Sequence, residues 1–103
     1  MTQRKPYIVG IGGTTRTGSS SEQALALALS YAREKGAETK MYGGNDLLLP
    51  MYDPDPGTMT DAGRRLIEDL RKADGIILCS PCYHGGVSGL VKNAIDYTEE
   101  MNK

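Results

Sequence analysis

Two loops of this chain carry the residue types that could do chemistry, and each follows an apolar segment. The first loop, residues 12–21, contains glycines, hydroxyl side chains and one guanidinium, Arg16, directly before a helix-like pattern. Hydroxyls, backbone amides and the amino end of a helix together form a site for an anion such as a phosphate. The second loop, residues 80–86, contains Pro81 and two glycines. Its backbone, with few bulky side chains, could pass along a flat ring.

Strand-like and helix-like patterns alternate along the chain and must position these loops. Three segments are expected to be strands: the apolar run 6–12, the short segment 38–42, and the apolar run 75–79, which is expected to be fully buried. Three segments with apolar residues at helical spacing are expected to be helices: 19–35, 60–73 and 88–101. The long connection at 43–57 is rich in glycine, proline and aspartate and is expected to be irregular, as either a lid or a tucked surface loop.

This alternation predicts an α/β fold with a parallel sheet between helical layers. Right-handed crossovers place the three strands in the order 2-1-3, so both loops leave the carboxyl ends of neighbouring strands. Ligands of open α/β sheets bind in the crevice at such a place. The sequence therefore predicts one binding site formed by both loops.

Composition narrows the class of protein. A chain of 103 residues with 39% hydrophobic content fits a single small domain, 1–103. A net charge of -1 without a basic stripe argues against a nucleic-acid partner. No apolar run approaches the roughly 20 residues needed to span a bilayer, so we expect no membrane partner and a cytoplasmic location.

Both loops resemble motifs of the NAD(P)H-dependent FMN reductases, a family of flavodoxin-like fold that includes flavin, quinone, azo-dye and chromate reductases. Residues 13–19 match the first motif, Gly-Ser/Thr-x-Arg-x-x-Ser. Residues 81–97 match the second motif, Pro-Glu-Tyr-Asn-Gly-x-x-x-Gly-x-x-Lys-Asn-x-x-Asp-aromatic, with two departures. Cys82 stands where the family usually has Glu, and His84 stands where it usually has Asn. Residues 48–53 also resemble the family's segment before the second helix.

The resemblance implies an oxidoreductase that passes hydride from NADPH or NADH to FMN, and then electrons to flavin, quinone or another small-molecule acceptor. It implies that the FMN phosphate is bound by the first loop: Thr14, Arg16, Ser19, Ser20 and Ser21. It implies that the flavin ring is bordered by the second loop: Pro81, Cys82, Tyr83, His84 and Gly85. Because the cofactor carries the chemistry, we expect no catalytic side chain and no metal.

The resemblance also has implications for the extent and assembly of the chain. The family's sheet has five strands in the order 2-1-3-4-5, and this chain supplies three, so we expect a flavodoxin-like domain truncated after its third βα unit. The third strand would then be an apolar, exposed edge suited to pairing. Lys92, Asn93 and Asp96 are interpreted as a polar helix face, although this helix packs against a second subunit in the family. A homodimer or homotetramer is therefore expected.

Two other functions remain open. One is a non-catalytic flavin- or phosphate-binding fragment that acts by assembly. The other is a dithiol redox protein, because Cys79 and Cys82 form a Cys-x-x-Cys pair. The first loop argues against an NTPase because it lacks the P-loop lysine. It also argues against a Rossmann dehydrogenase, because Thr15 stands where the last glycine of that fingerprint should be.

Overall fold

Three parallel strands form the sheet of this protein: β1 (Tyr7–Gly12), β2 (Glu38–Tyr42) and β3 (Gly75–Cys79). In the computed structural model, which describes residues 4–102, they lie in the order β2-β1-β3. The central strand pairs on both sides, so that Val9 lies opposite Lys40 on one neighbour and Ile76 on the other. The predicted order 2-1-3 and the flavodoxin-like α/β architecture are confirmed.

Three helices connect or follow the strands: α1 (Ser20–Glu34), α2 (Asp61–Lys72) and α3 (Gly89–Tyr97). Each begins after a hydroxyl side chain that accepts a hydrogen bond from a backbone N–H of the first turn. For α1 this cap is Ser19, whose Oγ lies 3.2 Å from the Glu22 nitrogen. None of the helices among residues 4–102 is long and apolar enough to cross a membrane.

The third helix is shorter than its apolar pattern predicts. It was expected to reach residue 101, but α3 ends at Tyr97 and a 3₁₀ helix, Thr98–Asn102, follows. The Thr98 hydroxyl donates to the Ile95 carbonyl at 2.6 Å, and the Thr98 N–H also bonds to that carbonyl. These bonds to the carbonyl three residues earlier tighten the last turn, because they compete with the i→i−4 hydrogen bond of an α-helix.

The two faces of β1 bury different helices. Val9 and Ile11 belong to one buried cluster together with Leu66 of α2 and Val91 of α3. On the opposite face, a β-carbon placed on Gly10 would lie only 2.7 Å from Cδ1 of Leu25. Because successive residues of a strand face opposite sides, α1 covers one face of the sheet and α2 and α3 cover the other.

The third strand is not fully buried, and that expectation was wrong. Ile76 and Leu78 are 47% and 48% exposed, whereas Ile77 between them is half-buried. The physical reason is that β3 has a strand neighbour on the β1 side only. Its apolar side chains are therefore left half in solvent at the edge of the sheet.

The long connection between β2 and α2 is tucked against α3 rather than held open as a lid. It contains two short 3₁₀ helices, Gly44–Leu47 and Pro56–Thr58. Between them, Asn93 accepts a hydrogen bond from the Tyr52 nitrogen at 2.8 Å and donates to the Pro50 carbonyl at 3.1 Å. The Tyr97 hydroxyl donates to the same carbonyl at 2.7 Å. Asn93 is thus an anchor for the connection and more than part of a polar helix face.

Candidate functional site

The two loops singled out from the sequence meet around one cavity of about 530 Å³, beyond the carboxyl ends of β1 and β3. This volume lies within the range of small-molecule and cofactor sites, roughly 300–1,000 Å³. The cavity is lined by residues of both loops: Thr14, Arg16, Ser19, Ser20, Ser21, Ser80, Pro81 and Tyr83. The structure therefore brings together all five predicted residues of the first loop with Pro81 and Tyr83 of the second.

Hydrogen bonds within the first loop fix its shape. The Thr14 hydroxyl oxygen accepts from the Arg16 nitrogen at 3.2 Å. Ser19 is buried, caps α1 and lies 3.3 Å from the Ser21 hydroxyl. Gly18 adopts a φ of 74°, in the region that glycine enters without strain. These contacts within the loop and with α1 define its shape.

The electrostatics of the first loop favour an anion. The amides of Ser20 and Ser21 belong to the first turn of α1, where no carbonyl one turn earlier is available to them. The aligned peptide dipoles of this 15-residue helix add a partial positive charge at the same end. Among the described residues no carboxylate forms an ion pair with Arg16, so its guanidinium adds a full charge.

The second loop contains a tight hairpin turn. Tyr83 and Gly86 exchange two backbone hydrogen bonds, of 3.1 and 2.9 Å. The central residues, His84 and Gly85, have φ angles of 51° and 79°, and positive φ at both central positions is the mark of a type I′ turn. Histidine, like asparagine, enters this left-handed region more often than most residues, which accounts physically for His84 in place of the usual Asn.

Three of the predicted ring neighbours lie outside the cavity lining. Cys82, His84 and Gly85 are exposed and do not line the cavity, although they flank Tyr83, which does. Sequence reasoning in turn missed Ser80. Its hydroxyl oxygen accepts from the Ser88 nitrogen at 2.8 Å and its proton goes to the Pro81 carbonyl at 2.8 Å. The sequence signal that could have identified Ser80 is a hydroxyl residue directly after an apolar strand.

The first loop is packed directly against the start of α3. A β-carbon on Gly13 would lie 2.5 Å from Cγ2 of Val91 and 2.8 Å from Oγ of Ser88. Real β-carbons do not approach other atoms so closely, so glycine is required here by space. The absence of a side chain at Gly13 thereby sets the distance between the two loops.

The geometry does not favour the dithiol alternative. Both cysteines are free; Cys79 ends β3 half-buried, and Cys82 is exposed. Neither a turn nor a bend occurs at the two residues between them, and a disulfide requires Cα atoms within about 7 Å. Among residues 4–102 no group of three or more His, Cys, Asp or Glu side chains is placed to hold a metal ion.

The clearest pKa shifts belong to groups outside the cavity. Burial and a hydrogen bond to Asp69 raise the pKa of Tyr7 to about 12, and the same causes raise the pKa of Tyr42 further. The hydrogen bonds from Arg4 and from the Tyr7 nitrogen lower the pKa of Asp74 to about 2. These groups join β1 and β2 to α2 and to the residues just after α2. The pKa shifts therefore result from structural contacts and not from the cavity.

Comparisons with known proteins identify the family of this chain. The profile of the family described as NADPH-dependent FMN reductase matches residues 6–103. The chain is 32% identical over 96 residues to an iron-sulfur flavoprotein of Methanosarcina thermophila, covering 86% of this chain and 50% of that protein. It is 30% identical over 102 residues to the FMN reductase (NADPH) of Escherichia coli K12, covering 90% and 48%.

A shorter match is to an NADPH azoreductase of Bacillus sp. OY1-2, 38% identical over 50 residues, covering 48% of this chain and 28% of that protein. The chain spans about half the length of the relatives that it matches over most of its own residues. The family match, in contrast, includes both loops and every strand and helix described above. On this basis the chain belongs to the NADPH-dependent FMN reductase family.

Proposed function

We propose that this chain forms the FMN-binding part of an oxidoreductase that takes hydride from NADPH or NADH and passes electrons to a small acceptor. The observation that carries this proposal is that two loops, separated by some sixty residues of sequence, line the same cavity. One loop offers groups suited to a phosphate and the other offers a backbone turn and an aromatic side chain. Family membership supports the same cofactor.

The phosphate end of FMN would lie at the start of α1. Thr14, Arg16, Ser20 and Ser21 all line the cavity there, and their hydroxyl, guanidinium and backbone amide groups would bind the phosphate. Charge-assisted hydrogen bonds from a guanidinium to phosphate are about twice as strong as neutral ones. Ser19 contributes by capping α1 and holding these donors in place.

The flavin ring would lie towards the second loop, against Pro81 and Tyr83. FMN, when bound, supplies the hydride-accepting chemistry, and the protein supplies orientation, stacking and electrostatics. Cys82, His84 and Gly85 would meet the ring only at its border, since these residues do not line the cavity. No side chain of this chain is then needed as an acid, base or nucleophile.

The relatives' names suggest the class of electron acceptor. They include an FMN reductase, an azoreductase and a quinone reductase, so we propose a free flavin, a quinone or a similar small molecule. An iron-sulfur cluster is not part of the proposal. Such clusters are usually held by four thiolates, and this chain has two cysteines.

We further propose that the chain acts in the cytoplasm as a homodimer or homotetramer. Two free thiols are usual in a reducing compartment. The uncharged edge strand β3, with Ile76 and Leu78 half in solvent, supports an assembled state. Sedimentation velocity over a range of concentrations tests this, and a single monomeric species throughout would contradict it.

A second candidate is flavin binding without turnover. It requires only the cavity that the two loops line, with no reaction at the bound flavin. One experiment separates the two candidates: visible absorption of the purified chain with added FMN, followed by anaerobic NADPH. Bound flavin that bleaches supports the oxidoreductase, and bound flavin that stays oxidised supports the second candidate. A chain that binds no FMN contradicts both.

A further inference from the structure

Ser80 is the residue through which the second loop is attached to the rest of the site. Its hydroxyl makes two hydrogen bonds, accepting from the Ser88 nitrogen and donating to the Pro81 carbonyl, both at 2.8 Å. A hydroxyl has a single proton, so this pair of bonds uses its one donor. The bond to Ser88 spans eight residues and closes the loop between them.

The other end of that bond is held rigidly. Ser88 is 2% exposed, caps α3 and accepts from the Val91 nitrogen at 3.3 Å. It also packs against Gly13 of the first loop, where an added β-carbon would lie 2.8 Å from its Oγ. Ser88 thus contacts the first loop and bonds to Ser80, so it links the positions of the two loops.

The loop between these anchors has little other support. Residues 82–87 are all exposed, and the exchange of hydrogen bonds between Tyr83 and Gly86 is internal to the loop. The bond from Ser80 to Ser88 therefore decides where the turn stands relative to the cavity. The bond to the Pro81 carbonyl decides which way the peptide after Pro81 faces.

We propose that Ser80 is a positioning residue that sets the second loop against the flavin ring, an inference that rests on the proposed function. The Ser80 hydroxyl holds the Pro81 carbonyl and thereby orients the backbone that follows it beside the ring. Loss of this hydroxyl frees the loop while leaving the phosphate donors at the start of α1 in place.

The test compares Ser80→Ala with Ser80→Thr, which keeps a hydroxyl, and with Ser30→Ala as a control. Ser30 also donates a hydrogen bond, to the Leu27 carbonyl at 2.7 Å, but within α1. Three quantities are measured for each folded variant: amide exchange at Ser88 and residues 82–87 without ligand, the dissociation constant for FMN, and the midpoint potential of the bound flavin. A cooperative urea transition shows that a variant is folded.

We expect Ser80→Ala to speed exchange at Ser88, to weaken FMN binding about tenfold, the effect of losing about two neutral hydrogen bonds, and to shift the midpoint potential. Ser80→Thr should restore most of each property, and Ser30→Ala should match wild type. Unchanged exchange at Ser88 in Ser80→Ala, or an unchanged potential, would overturn the proposal, as would a folded Ser80→Thr that behaves like Ser80→Ala. If the wild-type chain binds no FMN, the proposed function fails, and the exchange data alone decide whether Ser80 holds the loop.

Discussion

Gly13 and Ser88 are in contact across the site, although they are 75 positions apart in the sequence. A β-carbon on Gly13 would stand 2.8 Å from the Ser88 Oγ and 3.3 Å from the Cys79 carbonyl. These neighbours are a helix cap and a strand end, and neither can move without disturbing an element of the fold. The separation of the two loops is consequently set by the absence of one methyl group.

Replacing Gly13 by alanine should destabilise the chain by about 1–3 kcal/mol, the usual cost of overpacking. Val91 is β-branched and fully buried, so it cannot turn away from the new methyl group. Urea unfolding measures the effect. Gly89→Ala is the matched control, because nothing lies within 4 Å of a β-carbon there. Equal unfolding midpoints for the two variants would contradict the predicted contact.

His84 occupies a left-handed position in the turn of the second loop, with a φ of 51°. His84→Val should therefore cost about 1–2 kcal/mol, because a β-branched side chain is strained there. His84→Asn should be at least as stable as wild type. Thermal unfolding gives the comparison, with Cys82→Val as the control at a neighbouring exposed residue outside the left-handed region. Similar losses for the two valine variants would show that the turn does not impose this constraint.

Arg16 should contribute to FMN binding through the phosphate alone. Arg16→Ala is expected to weaken FMN binding by about 1.5–3 kcal/mol, roughly tenfold or more, as for a hydrogen bond to a charged group. Riboflavin, which lacks the phosphate, should bind wild type and variant equally. Fluorescence titration at two salt concentrations measures both ligands. Arg33→Ala, which removes a guanidinium bonded to Thr39 at the far end of α1, should behave like wild type. An equal loss for riboflavin would place Arg16 elsewhere than at the phosphate.

Asn93 should hold the connection between β2 and α2 in place. Its side chain makes three hydrogen bonds, to the Tyr52 nitrogen and to the Leu49 and Pro50 carbonyls. Asn93→Ala should cost about 2 kcal/mol, since these partners lose their bonds, and should expose residues 48–52 to chymotrypsin. Lys92→Ala breaks only an exposed ion pair with Asp96, worth less than about 1 kcal/mol. Equal cleavage rates in the two variants would show that Asn93 does not anchor the segment.

Acid should weaken the contact between Asp74 and Arg4 in a defined range of pH. In the folded chain the pKa of Asp74 is lowered from 3.8 to about 2 by Arg4 and by the Tyr7 nitrogen. A lowered pKa stabilises the folded chain fully above pH 3.8, and this contribution is lost as the pH falls through about 2. The difference in urea midpoint between wild type and Asp74→Asn should shrink over that range. Asp96→Asn, which keeps Asp74, should follow wild type, and a constant difference for Asp74→Asn would contradict the prediction.

Local patterns were sufficient to predict the strands, their order and where the helices begin. Apolar spacing identifies buried faces, and the start of the helical pattern at residues 19 and 88 agrees with the observed caps Ser19 and Ser88. The convergence of the two loops follows from strand order and handedness. The anion-binding chemistry of the first loop stays a prediction, which rests on the glycine, hydroxyl and guanidinium groups that follow β1.

The remaining features depend on contacts distant in sequence or on solvent. Asn93 has the same sequence signature as any polar residue on a helix, and its three bonds depend on a loop more than 40 residues away. Ser80 matters for the site only because the Ser88 nitrogen, eight residues later, bonds to its hydroxyl. The exposure of Ile76 and Leu78 depends on what lies beside β3, and an apolar run looks the same at a sheet's centre and at its edge.

Because β3 is an edge strand, the association of this chain should depend on its concentration. In dilute solution, the outward N–H and carbonyl groups of residues 75–79 bond to water. As the concentration rises, a second molecule competes with water for the same groups, and ordered pairing competes with disordered clustering. Rapid folding at low concentration, followed by slow concentration of the folded chain, is therefore the route that favours pairing.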